Sequence, residues 1–383
     1  MVTGILTACI SVGCGDNRSF DQPDQPDEPD EPGPDGGQPD ADPVDPPPPP
    51  ALQFHDYVQA IDLTPDGRTA LFGDGHTLEG RLWFVDTVTN VAENRTNVGD
   101  PLRTFATGIS QSSTVSALHG EPVRAGVWTA AAGWTDLPSP HAEWCGEDIG
   151  GAWDISADGT VVVGTSWNGC AVEAFRSSGA GMTRLAVLGE RTGGDEGTPD
   201  NRATVVSDDG STVAGFAMTA IVDRAPAIWR ADGTGELLSR VADDSPGEVL
   251  SINADGSVLA GLDGLDGVVW SGGTRTTIPR FDTKLPSDQV FPNAMNGAGT
   301  IVFGGQGSAF FGTPDAFIWS EASGLRKIAD LAIAEGLEIP ASIVLMNVMA
   351  ASTDGTVLIG TAVNVDTYAT TVFTLRLPAS AIH

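Results

Sequence analysis

A chain of 383 residues with 40% hydrophobic side chains can bury a sizeable core in one large or two ordinary domains, and its 48 glycines and 26 prolines call for many turns. It carries 51 acidic against 19 basic residues, only two of them lysine (Lys284 and Lys327), for a net charge of −32. That balance argues against nucleic acid as a partner, because the cations that neutralise phosphates are scarce and scattered. It also argues against adsorption on an anionic membrane surface, and no apolar run reaches the length of a membrane-spanning helix.

Residues 1–14 read as the tail of a signal peptide. Leu6-Thr7-Ala8-Cys9 has the pattern of a bacterial lipobox, in which small residues precede a cysteine that is lipidated and becomes the mature N-terminus. Val12-Gly13-Cys14 is a second candidate with Ser11 at the leucine position, so one of Cys9 and Cys14 is expected to carry the lipid. A basic leader segment is missing, and a start codon further upstream would supply it. Residues 15–50 follow as a low-complexity stretch with eleven acidic residues, twelve prolines and one arginine, Arg18. Proline fixes φ and removes donors while like charges repel, so a disordered acidic stalk is expected. At about 3.1 Å per residue, its reach is on the order of 90–110 Å.

From residue 51 to 383 the chain repeats. A four-residue turn recurs as Thr64-Pro65-Asp66-Gly67, Ser156-Ala157-Asp158-Gly159, Ser207-Asp208-Asp209-Gly210, Asn253-Ala254-Asp255-Gly256 and Ser352-Thr353-Asp354-Gly355. Asn296-Gly297-Ala298-Gly299 is a relaxed copy, and Ser110-Gln111-Ser112-Ser113 a degenerate one without glycine. The last positions fall at 67, 113, 159, 210, 256, 299 and 355, with spacings of 46, 46, 51, 46, 43 and 56. Seven copies near this period point to a seven-bladed β-propeller. The chemistry of the turn agrees: an oxygen-bearing first residue can cap, Asp tolerates the third position, and Gly supplies a positive φ at the fourth.

Apolar β-formers follow each turn and run into a glycine, as in Val161-Val162-Val163-Gly164 and Val357-Leu358-Ile359-Gly360. The expected reading is a short buried strand with the glycine at its end, packed close to the axis. A third strand ends in an aromatic residue, such as Trp128, Phe175, Trp229, Trp270 or Trp319, and a Gly-containing turn leads to a fourth. At this fixed phase the aromatics are expected to be staples between blades rather than ligand platforms. The seventh repeat stops too soon for a fourth strand, so residues 51–56 are expected to supply it and to remove an open sheet edge.

These residues resemble the bacterial extracellular repeats of the HAF family, whose units read roughly Ser-x-Asp-Gly-x-x-Val-x-Gly, then Ala-Phe-x-Trp, then Gly-Met-x-x-Leu-Gly. Repeat three carries the match in Ile155–Gly164, Glu173-Ala174-Phe175-Arg176 and Gly181-Met182-Thr183-Arg184-Leu185, with Ser177 at the family's tryptophan. Repeat six keeps Ala316-Phe317-Ile318-Trp319 and lacks the Asp. The resemblance spans most of residues 55–377 and implies a fold and export. It implies no reaction and no functional residues.

Motifs for chemistry are sparse. The five histidines form no HExxH or HxxxH arrangement, and neither a GxxxxGK phosphate loop nor a GxSxG elbow is present. The Asp-rich turns lack the alternating oxygen ligands of a calcium loop. They also lack the Asp-box spacing of sialidases, since glycine directly follows the Asp. No catalytic residue, metal site or cofactor is therefore expected. Cys145 and Cys170 have no neighbouring ligands for zinc and are expected to form a disulfide, in keeping with an oxidising compartment. That bond would staple the two most irregular segments, Pro138–Trp153 and Ser166–Val172, where Trp144, Trp167, Glu147 and Asp148 are the candidate ligand contacts. Glu190–Asn201 reads as a further long, acidic loop.

Together these readings predict an all-β, exported, monomeric and non-enzymatic binding or scaffold module. It would sit at the outer membrane or cell surface of a Gram-negative bacterium, or outside the cell, with a lipid as its only membrane contact and an unknown protein or glycan as its ligand. The alternative is a carbohydrate-active hydrolase or lyase, which would need two or more carboxylates converging on the central channel.

Overall fold

The computed structural model describes residues 47–73, 81–95, 104–138, 149–167, 172–179, 181–189, 200–281, 288–307 and 314–383. The signal-peptide tail, Cys9, Cys14 and nearly all of the acidic stalk lie outside them. So do Trp144, Cys145, Glu147, Asp148 and Cys170. The unit Pro48–His383 consists of seven four-stranded antiparallel sheets, a seven-bladed β-propeller.

Each blade is an up-and-down meander in chain order. Blade three runs Ile149–Ile155, Val162–Trp167, Val172–Ser178 and Gly181–Arg184. The first strand of every blade lines a common central cavity and is therefore the innermost. Blade seven differs in its outer strand. Its own three strands, Ile343–Ala351, Val357–Asn364 and Thr370–Arg376, are completed by Ala51–His55 from the other end of the chain, in register from Ala51 opposite Arg376 to His55 opposite Val372. The ring is thus closed by hydrogen bonds between the two ends of the repeat region, and the edge of Thr370–Arg376 is covered.

The recurring turn joins the first and second strands. Its fourth residue lies at positive φ in all seven copies: Gly67 at 70°, Gly159 at 76°, Gly210 at 70°, Gly256 at 73°, Gly299 at 71°, Gly355 at 76°, and Ser113 at 62° where the glycine is missing. In the best copies the first residue does two jobs. Ser352 Oγ donates to Asp354 Oδ1 at 2.6 Å and accepts the Val357 N–H at 3.0 Å, while Asp354 Oδ1 takes the Thr356 N–H at 2.9 Å. Ser156, Ser207 and Asn253 repeat this pattern with Asp158, Asp209 and Asp255. The turn is a closed local network, which is why it recurs where the rest of the repeat drifts.

The aromatic residues of the third strand sit between blades. Trp229 and Trp270 are buried, and their indole N–H groups donate to Ala186 O and Ser239 O, each just beyond the last strand of the preceding blade, at 2.8 Å. The glycine of the second strand is placed differently from the sequence reading. Gly164 lies inside Val162–Trp167, not at its end, and a Cβ there would stand 2.0 Å from Gly151 O and 2.9 Å from the Phe175 ring. The constraint comes from the inner strand's backbone and the next strand's ring, rather than from crowding at the axis.

Strand alternation gives the propeller two unlike faces. The recurring turns and the links between third and fourth strands form a turn face. Here the chain enters at Ala51, and the C-terminal Ile382 packs beside Gly355. The opposite, loop face carries the links between second and third strands and between blades. Those links include the helix Ile328–Ala334.

Candidate functional site

The inner strands bulge at one place. Pairing with the second strand shifts between Ala60 and Asp62, Ala106 and Gly108, Ala152 and Asp154, Ala203 and Val205, and Val249 and Ser251, with equivalent shifts in blades six and seven. A bulge leaves one residue out of the ladder and turns it away from its normal face. Ile61, Thr107, Trp153, Thr204, Leu250, Asn293 (beside Pro292) and Met349 occupy these places, with a second shift at Met346 in blade seven, and the seven line a cavity of about 300 Å³ on the propeller axis.

Towards the turn face the cavity is encircled by a collar. The second residues of successive turns are joined by backbone hydrogen bonds: Gln111 N to Ala157 O, Ala157 N to Asp208 O, Ala254 N to Gly297 O, Gly297 N to Thr353 O and Thr353 N to Pro65 O, at 2.7–3.1 Å. Between blades four and five the donor is Asp209 N, to Ala254 O at 3.3 Å. Only Pro65 has no N–H to give. Here the side chain of Gln111 takes over, accepting from Asp66 N at 3.1 Å and donating to Asp66 Oδ2 at 2.7 Å. The copy that looks degenerate in sequence is the one that completes the collar.

Three carboxylates lie just inside it. Asp62 Oδ2 accepts the Ile109 N–H and Asp154 Oδ2 the Val206 N–H, both at 2.8 Å, so each reaches across to another blade. Asp208 is on the collar itself. Protein surrounds these groups on every side but the cavity. Burial pushes the Asp62 carboxyl up to about 7 against the pull of the Ile109 and Leu63 amides, with the charge of Asp208 adding to the rise. Burial, then the charge of Asp62, holds Asp154 well above the usual carboxylate range, and burial followed by Asp209 raises Asp208. All three carboxyls are thus shifted towards the protonated form, Asp62 into the neutral range.

Towards the loop face, Trp153 on the cavity wall is backed by a stack of alternating rings and guanidinium groups. Arg202 lies 4.6 Å from the Trp153 ring centroid and 5.0 Å from that of Phe216, and Arg224 lies 5.0 Å from Phe216. Arg202 and Arg224 both pair with the buried Glu248, which also accepts from Thr204 Oγ1 at 2.6 Å. The stack holds Trp153 in place at the cavity wall.

Of the sequence candidates, Trp167 is described. It ends the second strand of blade three, is 39% exposed, and is paired with both Ile149 and Val172. Those pairs bring the anchors of the two irregular segments to one sheet end on the loop face. The turn aspartates are engaged by their own turns. Among the described residues, no group of three or more His, Cys, Asp or Glu side chains is arranged to hold a metal. Sequence reading passed over Asp62 and Asp154. The signal was present as a lone acid in an apolar strand two residues before the turn, Ala60-Ile61-Asp62-Leu63 and Ala152-Trp153-Asp154-Ile155.

No family model and no curated protein matches the chain. Solved structures do. The β-propeller domain of Cps50 (Swd1) from Myceliophteria thermophila aligns over 86% of this chain and 100% of its own, with 9% identity and a TM-score of 0.54. An oligogalacturonate lyase in complex with manganese aligns over 87% and 98%, with 16% identity and a TM-score of 0.51. Against TolB from Acinetobacter baumannii the chain spans about half of that protein, 52%, with 58% of this chain covered, 16% identity and a TM-score of 0.40. At these identities the likeness shows the fold alone.

Proposed function

We propose that the chain is a non-enzymatic binding module of the bacterial cell exterior that engages a protein or glycan through its loop face. The observation that carries this is the contrast between the faces. The turn face is committed to the collar, to the start of the strand Ala51–His55 and to the C-terminal residues around Ile382. Among the described residues, Phe105, Trp167, Ile221, Val241, Leu265 and Tyr368 stand exposed on the loop face, whereas the turn face shows Val88 and Val91. Apolar side chains gathered on one face support contact with a partner. The Cys145–Cys170 disulfide belongs to the same proposal, since Ile149, Trp167 and Val172 anchor both segments at one sheet end. Membership of the HAF repeats and a lipid on Cys9 or Cys14 complete it.

The test is to offer the full chain to a glycan array and to envelope extracts, beside Trp167→Ala and Tyr368→Ser variants. Capture that those variants weaken supports the loop face, and capture unchanged by any loop-face variant overturns it. Cys9→Ser and Cys14→Ser, followed by membrane partition, tests the anchor.

The convergence of Asp62, Asp154 and Asp208 favours one second reading, a carbohydrate-active hydrolase or lyase. Asp62 and Asp154 each spend a carboxylate oxygen on an amide of another blade, Ile109 and Val206, so both are engaged in holding the ring. This is why binding stands first. Turnover of any acidic or neutral polysaccharide that disappears in Asp62→Asn and Asp154→Asn would reverse the order.

A further inference from the structure

We propose that the loop face over blades four and five is the docking site for a basic polypeptide segment with apolar anchors; this rests on the loop face being the binding face. Three large apolar side chains project there from consecutive links: Ile221 at 64% exposure, Val241 at 66% and Leu265 at 43%. Isolated surface apolar groups are ordinary, but these are held on a rigid base. Gly247 N donates to Arg224 O at 2.8 Å, Val241 N to Asp263 Oδ2 at 2.7 Å, and Gly264 N to Pro246 O at 2.6 Å, so the three links are tied to one another. A preorganised surface loses little entropy when a partner settles on it.

Charge identifies the partner. Asp223, Asp243 and Asp244 are exposed around these side chains and make no ion pair among the described residues. Of the nearby cations, Arg240 lies beside Asp243 and offsets part of this charge, while the others are held on carboxylates of their own. Arg224 pairs with Glu248, Arg240 donates to the carbonyls of Asp243 and Ser245, and Arg275 pairs with Asp263. Apolar side chains beside a net acidic rim, three aspartates against Arg240, fit a segment that offers Leu-, Ile- or Phe-like anchors beside Lys or Arg. The rim would speed encounter and give the contact its salt dependence, while the apolar centre would set the dissociation rate.

A random 12-residue peptide display library panned on the full chain tests this. The counter-screens are Ile221→Ser/Val241→Ser/Leu265→Ser, Asp223→Asn/Asp243→Asn/Asp244→Asn, and a charge-matched control, Asp330→Asn/Glu335→Gln/Glu338→Gln. All four proteins are first matched for melting temperature. The expected result is enrichment of peptides rich in Lys or Arg with at least one large apolar residue. Their binding should weaken tenfold or more with either blade 4–5 variant, fall with added salt, and persist on the control. Peptides that bind the apolar variant as well as the parent chain overturn the proposal. If such peptides map instead to Trp167 or Tyr368, the loop face remains the binding face and only this patch fails. If glycans are captured while no peptide is enriched, the polypeptide assignment fails in the same way.

Discussion

Two sets of aspartates lie within a few residues of each other and titrate in opposite directions. Asp66, Asp158, Asp209, Asp255 and Asp354, on the turn face, all have lowered pKa values. At Asp66, Asp209 and Asp354 partial burial pushes upward, but hydrogen bonds from the turn's own amides and side chains outweigh it; at Asp158 and Asp255 the hydroxyls of Ser156 and Ser257 are the largest influence. Asp62 and Asp154, around the channel, are raised because burial and then the charge of a neighbouring channel carboxylate exceed what two amides return, and Asp208 because burial and the charge of Asp209 act with no amide against them. The same side chain stabilises the ionised state where donors converge on it and the protonated state where they do not.

The largest test of this contrast is at Asp62. Its folded pKa of about 7 lies above the ordinary 3.8, so the folded state holds a proton that the unfolded state has released between these values. Stability from this group is fully present below about pH 4 and is lost as pH rises towards 7. The neutral Asp62→Asn should therefore raise stability at pH 9 by about 2–4 kcal/mol, with little gain at pH 4. Equal urea midpoints for the variant and the parent at pH 9 would break the comparison. Next in size is Ser352→Ala, which strips Asp354 of a donor and leaves the buried Val357 N–H unpaired. A loss of about 1–3 kcal/mol is expected by denaturant titration.

The parent chain itself should then show a stability maximum between about pH 4 and 6. Above it the channel carboxyls are forced to ionise. Below it the turn carboxylates, whose folded pKa values are depressed, take up protons and release their donors, so the stability they contribute is lost as pH falls through those values. A melting temperature flat from pH 4 to 9 would contradict the channel half of the scheme. The smallest effect is at Ser113, which holds φ of 62° without glycine. Ser113→Gly should stabilise by about 1 kcal/mol, and the gain should not vary with pH, since no titrating group is touched.

Much of the propeller was legible in residue order. The seven turns were readable because each is solved by side chains within five residues of its first position. The strand that closes blade seven, Ala51–His55, was legible from a count, since a four-stranded repeat that stops after three leaves one to be found. The glycine of the second strand was misplaced because its constraint, the carbonyl of Gly151, lies on another strand. The role of Gln111 was invisible for a related reason: it answers a missing N–H in Pro65, 46 residues earlier. Of the candidate contacts Trp167 lies among the described residues, whereas Cys145, Cys170, Trp144, Glu147 and Asp148 lie outside them.

The sequence by itself therefore determined the repeat, its number and its turns, because hydrogen bonds within a turn depend only on near neighbours. Tertiary structure alone decided that Asp62, Asp154 and Asp208 meet. Each is an ordinary acid in its own repeat, and only closing the ring places three of them around one axis. The division of the molecule into a committed face and a presented one is likewise a product of strand direction around that closed ring.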